Sequence, residues 1–156
     1  MKEISKTTPA RSAPKSKIAA AVAIALITIS APAIGTYWTA QGGYYAGVGK
    51  GQGGAADHLL IVHVTTKKLP WAEAVKAAKS VTAGKFKDWD APTRADAALA
   101  WANVPHLFQK DWYWTGAQLA GGPSWAWFQS FYTGFQNFNG KTYSYRVFAV
   151  RRVPIQ

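Results

Sequence analysis

At 156 residues, 49% of them hydrophobic, the chain can fill one domain core and an additional arm but leaves no room for a second, enzyme-sized domain. It has no cysteine, which excludes disulfides, thiolate catalysis and cysteine-ligated metals and leaves stability to packing. Eighteen basic residues against seven acidic ones give a formal net charge of +11, which favours anionic partners without choosing among nucleic acid, acidic polysaccharide and protein.

Residues 1–17 carry Lys2, Lys6, Arg11, Lys15 and Lys17 among Ser, Thr, Pro9 and Pro14, a composition with too little apolar surface to order itself alone. An apolar run from Ile18 to Ile29 follows and closes on Ser30-Ala31-Pro32-Ala33. Two readings of residues 1–33 stand. A basic start, an apolar run of about a dozen residues and the small residues Ala31 and Ala33 have the form of a secretory signal peptide or anchor. The same segment equally describes an arm held inside a larger assembly, and that is the expectation carried forward.

Gly47-Val48-Gly49-Lys50-Gly51-Gln52-Gly53-Gly54 lacks the Gly-Lys-[Ser/Thr] ending of a phosphate loop and leads into no helix, so a flexible hairpin loop is expected. An apolar strand runs through Leu59, Val62 and Val64 and is capped by Lys67-Lys68. Leu69-Pro70-Trp71 opens a helix, Pro being tolerated in a first turn, and the Ala-rich amphipathic stretch ends before Gly84. Thr93, with Asp96 three residues on, signals the capped start of a second helix that should stop near Pro105. Short strands fill the rest, with Gly121-Gly122-Pro123 as an exposed turn. From Ala126 to Phe131 large residues alternate, placing Trp127, Gln129 and Phe131 on an inward side and Phe128, Ser130 and Tyr132 on an outward one. Gly134 and the run Asn137 to Gly140 supply turn chemistry, so a hairpin is expected whose return strand, Tyr143 to Val153, loses its pattern at Arg151-Arg152. The outline is α+β.

Catalytic and metal-binding constellations are sparse, and no cofactor or metal is expected. His58 and His63 are five apart on a strand and project to opposite faces. Asp57, Asp88 and Asp90 could hold a hard cation, but a solvated turn whose charges pair with Lys85 or Lys87 is the expectation. His106, Asp111 and Ser124 form a triad by residue type only, without a nucleophile elbow.

Trp38, Trp71, Trp89, Trp101, Trp114 and Trp127 are expected in the core. The candidates for a ligand surface are Trp125, Phe128, Tyr132, Phe135 and Phe138, which can stack on sugar rings. Asn137, Asn139 and Lys141, with Gln136, can bond hydroxyls or anionic substituents. The same apolar patch could instead be an oligomer interface.

The C-terminal motifs carry a resemblance. Tyr113-Trp114-Thr115 is followed by Ala126, Trp127, Gln129 and Phe131, by Gly134, Gln136 and Asn137, by Lys141, and by Arg146, Ala149, Val150, Arg151 and Arg152. Upstream stand Gln41 to Gly47, His58 to Val62, Trp71-Ala72-Glu73-Ala74 and Ala91-Pro92-Thr93-Arg94. In this order they resemble the Lcl C-terminal-like family over roughly residues 34–156, a family found at phage tail-fibre tips, in retroelement-diversified variable proteins and in a collagen-like adhesin. The chain departs from that pattern at Gly116 and Gln118, where the family often has Ser and an acid, and at Phe148, where it often has Arg. The resemblance implies a C-type-lectin-like domain at 34–156, with short antiparallel strands and two helices, behind an extended arm at 1–33. It further implies a non-enzymatic virion protein of a tail fibre, neck or capsid, assembled as a homotrimer and binding a cell-surface glycan or receptor. Virion structural proteins would hold the arm. An exported bacterial adhesin or envelope protein is the alternative, and only there would a membrane be a partner. Nucleic acid is the weaker reading of the charge, because the basic residues are scattered.

Overall fold

The computed structural model describes residues 30–155. The basic arm and the apolar run Ile18 to Ile29 lie outside the described residues. The α+β class holds: among the described residues seven strands form one mixed sheet, with two α-helices packed on it.

The described chain opens with the short β1 (Tyr37–Trp38) and a hairpin of β2 (Gly43–Gly49) and β3 (His58–Leu69). Its connection is the Gly-rich loop, where Gly53 and Gly54 adopt positive φ with no neighbour in the way and Lys50 pairs with Asp57 at 2.7 Å. Then come helix α1 (Trp71–Lys79) and helix α2 (Arg94–Asn103). Thr93 and Asp96 form the expected capping box, each side chain accepting the other's backbone N–H at 3.0 and 2.9 Å. Asn103, at the end of α2, donates to Ala46 O at the bulge of β2 and ties helix to hairpin.

The C-terminal third contains β4 (Trp112–Leu119), β5 (Gly122–Ser130), β6 (Gln136–Gly140) and β7 (Tyr145–Pro154). The sheet order is β1-β2-β3-β7-β4-β5-β6, antiparallel throughout except where β7 meets β4. This corrects the expected hairpin. The partner of β5 is β6, so Asn137 to Gly140 is strand rather than loop, and β7 crosses to the middle of the sheet. The reason is burial on both faces: Val147, Phe148, Ala149 and Val150 are all buried, and such a run is satisfied only centrally. β4 takes one end of its second edge, and Asp90, bonded both ways to Val150, takes the other.

Nor does β7 falter at the arginines. Arg151 and Arg152 stay in register with Ile61 and Leu60 because each guanidinium finds a carboxylate. Arg151 bonds Asp88 at 2.6 Å and Gln41 O at 2.8 Å and stands over Phe86, while Arg152 bonds Asp96 at 2.5 Å. The arginine therefore holds the Asp88 carboxyl below the usual range.

Two cores result. Leu60, Val62, Phe148 and Val150 face α2 with Ala97, Ala100 and Val104, and Phe108, Tyr113, Phe131 and Phe148 interlock there with ring centroids 4.0–6.0 Å apart. Residues of the other parity, such as Ile61 and Ala149, lie on the α1 face, where Ala74 and Ala78, one helical turn apart, are fully buried. Each large ring so buried stabilises by about 1.5–3 kcal/mol.

Candidate functional site

The register of β5 against β6 distributes the candidate residues. Trp125 and Phe138 lie, beside Trp127, on the α2 face of the sheet; Phe128, Asn137, Asn139 and Lys141 lie on the α1 face; Tyr132 and Phe135 sit in the connecting turn. Trp125 and Phe138 meet edge to face at 6.0 Å, and Phe138 meets Trp127 at 5.3 Å. The eight residues are thus split between two faces and the turn that joins them.

Five of the eight are exposed: Trp125, Tyr132, Phe135, Asn137 and Phe138. Tyr132 is the most open, at 66%, on a turn that is firmly anchored. Ser130 Oγ accepts from the amides of Tyr132 and Thr133, buried Gln129 donates to Gly134 O at 2.9 Å, and Gly134 takes φ 84° where a side chain would strike Trp101.

Phe128 is a correction. Only 4% of it is exposed, beneath Trp112, Trp114, Phe135 and Tyr145, with the Trp112 ring stacked at 5.1 Å. Trp127, expected inside, is only half-buried, with Arg94 above its ring at 3.6 Å. Gln129 and Phe131 are buried and Tyr132 is exposed as expected, but Ser130, like Phe128 expected outward, is buried, because side chains close both faces at this end of β5. Among the other tryptophans Trp89 and Trp114 are buried, whereas Trp38, Trp71 and Trp101 are partly so.

Asn139 and Lys141 are engaged within the fold. Asn139 donates to Tyr145 Oη at 2.7 Å, and Lys141 bonds Gln118 at 2.5 Å and stands 4.1 Å over Trp71. The asparagines have a further role. In this register the N–H groups of Phe138 and Gly140 point away from β5, along the open edge of the sheet. Asn137 Oδ1 accepts the first and Asn139 Oδ1 the second, both at 2.8 Å. The edge carries its own acceptors.

Sequence reasoning missed Arg94, Trp112 and Tyr143. Trp112 and Tyr143 are exposed and stack on Phe128 and Tyr145. Arg94 opens α2, and no local signal ties it to Trp127 or to Gln136, which is 42 residues away.

The remaining polar candidates are held in internal pairs. Asp88 pairs with Arg151, and Asp90 lies 3.5 Å from Arg152 and 3.9 Å from Lys79, so Lys85 and Lys87 are not their partners. Asp111 is held by Lys68 and Arg146; burial pushes its carboxyl up, but these bonds bring it below the usual range. No hydrogen bond among the described residues joins it to His106 or Ser124. No cluster of three or more metal-ligating side chains occurs among the described residues. His58 and His63 do face opposite sides, His58 near Asp96 at 3.5 Å and His63 against Trp89. A groove of about 490 Å³ separates the β2–β3 loop from α2, lined by Val48, Ala98 and Leu99 over His58, Asp96 and Arg152. No helix among the described residues is long and apolar enough to cross a membrane.

No family model and no curated protein matches the chain.

Proposed function

We propose that residues 34–156 form a C-type-lectin-like display domain of a non-enzymatic virion accessory protein, in a phage tail fibre, neck or capsid. Residues 1–33 attach it to the particle's structural proteins, and the β5–β6 surface contacts a cell-surface glycan or receptor. Two helices between an N-terminal hairpin and a closing strand that returns beside β3 are compatible with such a fold. Assembly as a homotrimer would convert weak single contacts into avidity.

The observation that carries this reading is the set of exposed rings, Trp125, Tyr132, Phe135 and Phe138, on a turn and strand pair anchored by internal hydrogen bonds. A solvated aromatic side chain gives up the stabilisation that burial would bring, and held on a rigid support it loses little entropy when a sugar face covers it. Purified particles or oligomers carrying Trp125→Ser, Tyr132→Ser and Phe138→Ser should fold and incorporate normally yet attach poorly to host cells. Normal attachment would remove the receptor role. Broken oligomers or loss from the particle would make the surface an interface and the protein a connector.

The composition of residues 1–33 favours a second reading, an exported adhesin or envelope protein with a signal peptide or anchor there. Mass spectrometry of the natural protein separates the two. A chain beginning near Ile34 means export, and an intact arm means virion assembly.

A further inference from the structure

Among the described residues Arg94 takes part in no ion pair, yet it is one of the best-held cations on the surface. Its guanidinium stands 3.6 Å over the Trp127 ring. Its Nε donates to Gln136 Oε1 at 3.1 Å, and Gln136 Nε2 returns a bond to the Arg94 carbonyl at 2.7 Å. The same Nε2 group donates to Gln129 Oε1 at 3.0 Å, and Gln129, fully buried, is fixed in turn by the carbonyls of Ser130 and Gly134. Both amides are thereby oriented, and the chain of bonds runs from the core to the guanidinium.

Such a support has a chemical consequence. The Nε edge is used inward, so the two Nη groups, which have no protein partner among the described residues, are what the arginine offers to solvent. Together they present the parallel pair of N–H bonds that matches the two oxygens of a carboxylate. The ring beneath and the Gln136 clamp have already removed side-chain freedom that an anion would otherwise have to freeze. Phe138 and Trp125 are exposed on the same face.

We propose that Arg94 is a carboxylate-binding subsite of the β5–β6 surface, so that the glycan recognised there bears a uronic-acid type of carboxyl group, its sugar ring lying toward Phe138. This rests on the reading of that surface as glycan-binding. Gln136 is a positioning residue, acting on the ligand only through Arg94.

Oligogalacturonate, the same oligosaccharide with its carboxyl groups reduced to alcohols, and dextran sulfate of similar length serve as probes in calorimetric titrations of the full chain. Tryptophan indole NMR signals report the contact surface. The expected result is binding of oligogalacturonate with shifts at Trp125 and Trp127, with affinity about ten- to a hundredfold lower for the reduced sugar and for Arg94→Gln. Arg94→Lys should recover only part of the loss, because it keeps the charge and lacks the fork. Gln136→Leu, which removes the clamp on the Arg94 side chain, should lower affinity in the wild type but have no further effect in the Arg94→Gln background; an equal loss in both would show that Gln136 does not act through Arg94. If both sugars bind equally at these tryptophans and Arg94→Gln binds like the wild type, the carboxylate subsite is wrong while the glycan surface stands. If dextran sulfate binds at least as tightly and equally to Arg94→Gln, general charge attraction replaces the subsite. If neither sugar shifts these signals, the glycan reading itself fails.

Discussion

Phe128→Ala against Trp127→Ala is the sharpest test of how β5 is packed. Phe128 is 4% exposed and touches four rings, with centroids at 5.1 Å to Trp112, 5.3 Å to Tyr145, 5.9 Å to Phe135 and 6.5 Å to Trp114. Truncation removes the transfer energy of the ring and leaves a cavity that these neighbours, held by their own contacts, fill only partly. The cost is about 3–5 kcal/mol. For a cooperative unit of this size each kcal/mol lowers Tm by about 3–4 °C, so a fall of about 10–20 °C is expected. Trp127 is larger but half-buried. Its loss forfeits the Arg94 contact, about 0.5–1 kcal/mol, and part of its burial, for a total of about 1–2 kcal/mol. Thermal and urea unfolding followed by circular dichroism give both values. A larger cost at Trp127 than at Phe128 would mean that the α2 face of β5, not the α1 face, is the more tightly packed at this position.

Asn137→Val should leave the fold intact but free the outward amide of Phe138, raising self-association with concentration in light scattering; an unchanged mass would show that the asparagine does not guard the edge. Asp96→Ala removes the carboxylate that serves Arg152 and the α2 cap from a site only 3% exposed, and should cost about 3–5 kcal/mol in denaturant unfolding. Burial holds the His63 imidazole below the ordinary histidine value of 6.5. The unfolded chain therefore binds its proton first, and stability contributed by neutral His63 is complete above pH 6.5 and declines as pH falls from there toward the folded value. A His63→Phe variant should lose that part of the slope in Tm against pH, and an unchanged slope would assign it elsewhere. A chain starting at residue 30 should fold with the cooperativity of the full protein yet fail to join its parent assembly, as size exclusion and reconstitution would show.

Local chemistry made much of the fold legible. The Thr93 to Asp96 box and the Pro70 start act within a few residues and occur as read, whereas the strands run further than read: Gly47 to Gly49 belong to β2, Lys67-Lys68 to β3 and Gly122-Pro123 to β5, which shortens the Gly-rich loop and the Gly121 turn. What escaped were pairings between distant segments. The alternation of Tyr143 to Val150 announced a buried strand, but the choice of β3 and β4 as neighbours depends on shapes that only the assembled sheet has. The run Asn137 to Gly140 looked like turn chemistry because Asn and Gly favour turns. As an edge strand it uses the same asparagines for a different purpose, each accepting the next residue's N–H. Period alone also could not say which face of β5 is closed, since that depends on Trp112 and Tyr145 on one side and Arg94 on the other.

The guarded edge bears on the choice between recognition surface and oligomer interface. A strand with open amides invites another strand, and an aromatic edge such as Trp125 and Phe138 would add apolar area to that pairing. Here two successive outward amides are already bonded to side chains of their own strand. A partner strand would have to displace both asparagines before it gained its first ladder bonds, which lowers the return on β6-to-β6 association. A sugar ring faces no such cost, because it meets ring faces and the Arg94 fork rather than the backbone. The chemistry of β6 therefore favours contact through side chains. Under the proposed trimeric assembly, the subunits would then be joined by surfaces other than this edge, leaving the rings to the ligand.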